Sequence, residues 1–158
     1  TIALDGTAAR ACRTVTGEAL PAGYIRTDVA AEAIYDGTYW VVQRAPQAGA
    51  NANGRYLRLA DGTQICQKTV TTAFLDAGTL RYTWGFPASF AEAPTIVTSI
   101  NAASYYANSG LPLNAVSFAG YGGATVTYSH VYIYAQSGNS FVSGATTDVS
   151  VVSHGRWY

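Results

Sequence analysis

The sequence predicts an all-β protein, read as a sandwich or a barrel, with a small β module ahead of the main domain. Three observations predict it. Short runs rich in Val, Ile, Thr, Tyr and Trp follow one another, separated by Gly, Asn, Asp, Ser or Pro. Asp36-Gly37, Asn53-Gly54 and Asp61-Gly62 are turn pairs that tolerate positive φ. No segment sustains a helical period; the best attempt, "DVAAEAIYDG", is short and meets a turn at once.

In chain order, "ARACRTV", "GYIRTDV" and "TYWVVQR" are the strands expected of the first module, residues 1–48. This module is too small to bury a good core alone, so it is expected to lean on the main domain or on copies of itself. "APQAGANANG", residues 45–54, holds Pro, Gly and small side chains and reads as a linker. The main domain, residues 49–158, opens on "RYLRL", where Tyr56 and Arg58 share one face and Arg55, Leu57 and Leu59 the other. Leu57 and Leu59 are expected to point into the core. Arg55 and Arg58 are expected to pair with carboxylates or carbonyls at a strand edge, with a sugar or subunit contact as alternatives. After the Asp61-Gly62 turn, "TQICQKTV" places Cys66 opposite to Ile65 and Gln67, and Cys66 is expected in the core.

"TLRYTW", "TIVTSI" and "AVSFAGY" follow as strands. "TVTYSHVYIYA", residues 125–135, sorts by period two. Thr125, Thr127, Ser129, Val131, Ile133 and Ala135 form a face that turns apolar and suits a core. Val126, Tyr128, His130, Tyr132 and Tyr134 form an aromatic row. That row is either buried against other strands or a subunit interface with Tyr134 at its rim. "DVSVVSHGRW" is the last strand, with Trp157 expected to pack the domain base and Arg156 to clamp a carboxylate.

Composition narrows the function. Charged residues are 11% of the chain, well under the roughly 25% of soluble domains. Net charge is zero and Lys68 is the only lysine, so nothing draws in nucleic acid or anionic lipid. Twelve tyrosines and three tryptophans suit stacking on neutral ligands or burial between subunits. No apolar run is long enough to cross a membrane as a helix, and "TIALDGTAAR" is not a signal peptide. Met is absent, also at position 1, which points to a start inside a longer protein or after processing. Cys12 and Cys66 match no zinc spacing and are expected as separate thiols, with a disulfide as the alternative.

Four stretches in order carry a resemblance. "NGRYLRLADGTQIC", "WGFPASFAEAP" followed by "TIVTSI", "TVTYSHVYIYAQSG" and "HGRWY" span residues 53–158. This region resembles the C-terminal receptor-binding domains of bacteriophage tail fibres, and more faintly the H-type lectins. "YDGTYWVV", residues 35–42, resembles shaft-side strands of such fibres, which also occur on gene transfer particles. The resemblance implies an antiparallel β-sandwich of about six strands, a homotrimer, and a glycan receptor on the bacterial surface. It also implies other fibre or baseplate proteins as partners, and a place at the fibre tip of a virion or phage-like particle assembled in the bacterial cytoplasm. The Trp-His pair of the H-type lectins is missing from "YIYAQSG", so their sugar site does not transfer.

Candidate ligand-binding residues therefore come from the loops. "NAASYYANSGLPLN", residues 101–114, offers Tyr105, Tyr106 and Asn108; "QSGNSFVSG", residues 136–144, offers Gln136, Asn139 and Phe141. Tyr121 stands between glycines, and Tyr134 ends the aromatic row. Tyrosine rings stack on sugar C–H faces, and amides hydrogen-bond hydroxyls. One ring of the Tyr105-Tyr106 pair folding down to plug the sandwich end is the structural alternative. No catalysis, metal or cofactor is expected: no Gly-x-Ser-x-Gly elbow accompanies His130, His154 and Asp148, and the nine carboxylates lie mostly in turns.

Overall fold

The computed structural model describes residues 1–3, 8–101, 104–105, 116–119 and 123–158. The described chain is a β protein of two sheets. Strands β1 (Cys12–Arg13), β2 (Ala31–Tyr35) and β3 (Trp40–Arg44) form a three-stranded sheet in the order β1-β3-β2. The Asp36-Gly37 turn joins β2 to β3, with Asp36 Oδ1 accepting the amides of Thr38 and Tyr39 at 2.8 and 2.7 Å. That turn makes a strand of "AEAIY", the stretch nearest to a helical pattern. "GYIRTDV", expected as a strand, is instead a turn region closed by an Arg26–Val29 bridge. Gly23 has φ 74° there, and the Arg26 guanidinium grips Asp28 with two hydrogen bonds.

The second sheet has eight strands where the resemblance implies about six. They are β4 (Gln47–Asn51), β5 (Gly54–Arg58), β6 (Thr63–Asp76), β7 (Thr79–Gly85), β8 (Thr95–Ile100), β9 (Val116–Ala119), β10 (Tyr128–Ala135) and β11 (Thr146–Arg156). Residues 47–51, expected as linker, are thus a strand. Gly49 explains why such small residues pair: a Cβ there would lie 2.5 Å from the Tyr56 ring, which covers the glycine from the partner strand.

The long strand β6 organises two layers. One edge pairs with β11 along residues 63–73, and β11 pairs in turn with β8. The other edge pairs with β5 near its start and with β7 near its end, through an irregularity between Phe74 and Asp76. Beyond that corner β7, β10 and β9 form the opposing layer. Alternation does the rest. Cys66, Val70, Val149 and Val151 face Leu80, Trp84, Val131 and Ile133, all buried, in an antiparallel β-sandwich. Trp84 donates its indole N–H to Asn53 O at 2.8 Å, so its one polar group is satisfied. Both cysteines are free, and burial pushes the Cys66 thiol up.

The two faces of β5 are the reverse of expectation. Tyr56 pairs with Cys66 and packs against the core, while Leu57 pairs with Ile65 on the outer face. Period two assigns residues to faces but does not say which face is inner. The large ring over Gly49 and the small thiol decides that here. No helix among the described residues is long and apolar enough to cross a membrane.

Candidate binding surface

The sandwich has two unlike ends. At its base, the motifs that carry the resemblance meet one another. Asp61 Oδ1 accepts the Thr63 amide at 2.9 Å, which holds its carboxyl below the ordinary range and shapes the turn. Gly62 follows with φ 92°, and a Cβ on it would stand 2.8 Å from the Arg156 guanidinium. Gln64, fully buried, donates to Ala88 O at 2.9 Å and accepts from Arg58 Nε at 2.7 Å. Gly155 leaves room for Phe90 and Pro94. Trp157 donates from its indole to Leu59 O and from its amide to Gly62 O. "DGTQIC", "WGFPASFAEAP" and "HGRWY" therefore build the base, with Asp61, Glu92 and His154 left exposed.

The first sheet docks on this base. Tyr24 is 1% exposed, stacks on Trp157 at 6.0 Å, meets Tyr158 edge-on, and sets its hydroxyl between Val42 O and Ala60 O. The guanidinium carbons of Arg44 and Arg58 lie 4.9 and 5.3 Å from the Trp157 ring centre. Arg44 is buried with no ion pair among the described residues, and burial pulls its guanidinium below its ordinary value. Arg156 reaches Glu18 at 3.5 Å, an exposed pair worth little by itself.

The far end lies opposite the base. β10 finishes there, beside the β6–β7 corner, with Ala135 N bonded to Gly78 O and Phe141 N to Ala77 O. β8 finishes at the same end, where Asn101 N bonds to Asp148 O. Both predicted loops thus leave strands at one end of the sandwich. Along the outer face of β10 the aromatic row is continuous. Tyr128 meets His130 at 5.4 Å, His130 meets Tyr132 at 5.9 Å, and Tyr132 stacks on Tyr134 at 5.7 Å with planes 11° apart. His130 is hydrogen-bonded to Thr83 Oγ1 at 2.9 Å, which fixes its ring in the row. Tyr134 is 37% exposed, and Gln136 and Asn139 just beyond it are exposed.

Two candidate residues are corrected. Tyr105 is fully buried in the hydrophobic core, and Phe141 is 3% exposed in the same cluster. Each plugs the sandwich end, because an apolar ring gains more under the sheets than in a polar loop. Tyr106, Asn108 and Tyr121 lie outside the described residues. Arg81, not among the sequence candidates, pairs across β7–β10 with Tyr132 and is exposed on the same outer face. Its alternation with Leu80 and Tyr82 was the available signal. Among the described residues, no group of three His, Cys, Asp or Glu side chains is placed to hold a metal.

No family model matches this chain, and no curated protein matches it. Among solved structures it is similar to an N-truncated R1-type pyocin tail fibre, with 14% identity and a TM-score of 0.47, over 70% of this chain and 85% of that one. It is also similar to the P. aeruginosa R1 pyocin fibre comprising C-terminal residues 323–701, with 14% identity and a TM-score of 0.48. That match covers 70% of this chain and 28% of the other. At this identity no residue's role passes from those fibres to this chain.

Proposed function

We propose that this chain is the receptor-binding tip of a phage or phage-like fibre, and that it binds a bacterial surface glycan without catalysis. The observation that carries the glycan reading is the far end of β10. A stacked Tyr132–Tyr134 pair ends in an exposed ring, followed at once by exposed amide side chains on Gln136 and Asn139. A ring offers a platform for sugar C–H faces, and amides offer both donors and acceptors to hydroxyls. The low charge of the chain leaves this chemistry undisturbed. The fibre reading rests on the four ordered sequence motifs, three of which meet at the base.

The assembly belongs to the same proposal. A row of Tyr128, His130, Tyr132 and Tyr134 on one sheet face, exposed at its two ends and half-buried between them, is more aromatic surface than a monomer requires. A homotrimer covers most of that row and leaves Tyr134 at the rim of each contact. Three weak sites on one fibre then gain by multivalency.

A glycan array probed with the purified chain tests the function. Binding to a defined set of bacterial polysaccharides, lost in Tyr134→Ala, is the expected result. A chain that forms trimers and binds no glycan is a structural fibre end, and release of reducing sugar would make it an enzyme. Light scattering is expected to give about three times 16.6 kDa. A monomer at micromolar concentration removes the interface role of the aromatic row.

A further inference from the structure

A second surface, on the opposite layer, has the form of a binding groove. On the outer face of the β4–β5–β6 sheet, Ala48 stands across from Leu57 and Ala50 across from Arg55. Leu57 and Arg55 in turn stand across from Ile65 and Gln67. Short side chains beside long ones leave a trough. It has a volume of about 600 Å³, within the range of small-ligand sites. A second trough of about 350 Å³ continues from it past Gln67 to Thr69, Ser150 and Val152. Arg55 and Gln67 line both, at the junction.

The charge in this groove is unanswered. Arg44, Arg58 and Arg156 are each held by carbonyl, amide or ring partners at the base, and Arg26 by Asp28. Arg55 has no hydrogen bond or ion pair among the described residues, and neither has the Gln67 side chain. Arg55 and Lys68 are the charged residues lining the two troughs, both cationic, and Lys68 donates to Ala52 O. A chain of zero net charge thus presents a cationic groove with an apolar floor of Leu57 and Ile65.

We infer that this groove binds a carboxylate-bearing sugar residue of the receptor glycan. The guanidinium fork of Arg55 takes the carboxylate, the Gln67 amide takes a neighbouring hydroxyl, and the ring's C–H face lies on Leu57 and Ile65. The inference rests on the glycan reading above but uses a different surface, so the two can fail separately.

Methyl-detected NMR titration with a glucuronate-containing disaccharide, beside its neutral glucose counterpart, tests it. The uronate is expected to shift the Leu57, Ile65 and Val152 methyls and to bind more weakly as salt rises. Arg55→Gln is expected to lower affinity at least about tenfold, with part regained in Arg55→Lys. Tyr134→Ala is expected to leave these shifts in place. Equal binding of the neutral sugar, or unchanged binding in Arg55→Gln, overturns the inference. So does protection of Leu57 and Ile65 from a soluble paramagnetic agent in the free assembly, which would make the groove a contact between copies of the chain.

Discussion

The base and the far end of the sandwich hold similar residues in unlike surroundings. At the base, Tyr24, Trp157 and Tyr158 lie with Arg44, Arg58 and Arg156. Toward the far end, Tyr132 and Tyr134 lie in line with His130, and Arg81 pairs with Tyr132. At the base the polar atoms of the rings are spoken for: Trp157 bonds Leu59 O, Tyr158 bonds Ala60 O, and Tyr24 sits between two carbonyls. Neither the Tyr134 hydroxyl nor the Arg81 guanidinium has such a partner among the described residues. Aromatic content alone does not mark a binding site. Unanswered hydrogen-bonding capacity beside an exposed ring is what separates the far end from the base.

The strongest way to break this contrast is to truncate a ring at the base. Tyr24→Ala removes a buried ring and the hydroxyl that ties the first sheet to the second, and should cost about 3–5 kcal/mol. Urea unfolding measures it, and a loss below about 1 kcal/mol would mean that the joint is ornamental. Tyr105→Ala applies the same test to a loop ring. Its burial predicts a loss of about 3 kcal/mol, within the range for buried aromatic truncation. An unchanged midpoint would return Tyr105 to the binding surface.

Tyr134→Ala sharpens the other side. Its effect on stability should stay within about 0.5 kcal/mol, as for most surface substitutions. Attachment to host cells should weaken by roughly 1–3 kcal/mol per site if the ring is an anchor. The reverse pattern, lost stability with full attachment, would place Tyr134 among the structural rings.

The smallest effect is on pH. Burial, the largest cause, raises the phenols of Tyr24 and Tyr158 above their ordinary value. The unfolded chain gives up these protons first, near pH 10. Their contribution to stability is therefore complete below that value and is lost as pH rises through the folded-state values. The urea midpoint should fall above about pH 10, and less steeply in Tyr24→Phe. A midpoint that is level across that range contradicts the burial of the joint.

Much of the fold could be read from residue order. "TQICQKTV" and "TVTYSHVYIYA" alternate cleanly, and Cys66, Val131 and Ile133 are buried as their period requires. Trp157 and Arg156 act at the base as expected, the latter on Glu18. Other features were not legible, for identifiable reasons. "RYLRL" alternates with bulky groups on both faces, so period two could not orient it. Gly49 looked like linker because its role appears only when Tyr56 lies over it. Tyr105 looked like a recognition residue because its neighbours in sequence are polar, whereas its neighbours in space are the core.

By itself the sequence determined the class, the strand periods, the turn at Asp61-Gly62 and the chemical character of the surface. These depend on backbone preference and on the alternation of side chains, which are local. Only the tertiary structure decided which face of β5 is inner and which tyrosines are buried. Tertiary structure alone also brought three of the sequence motifs to one end and left Arg55 without a hydrogen-bond or ion-pair partner among the described residues. Those outcomes depend on pairings between residues far apart in the chain, such as Tyr24 with Trp157 and Gly62 with Arg156. A local pattern can offer a side chain for burial, but only the packed whole determines whether the space is already taken.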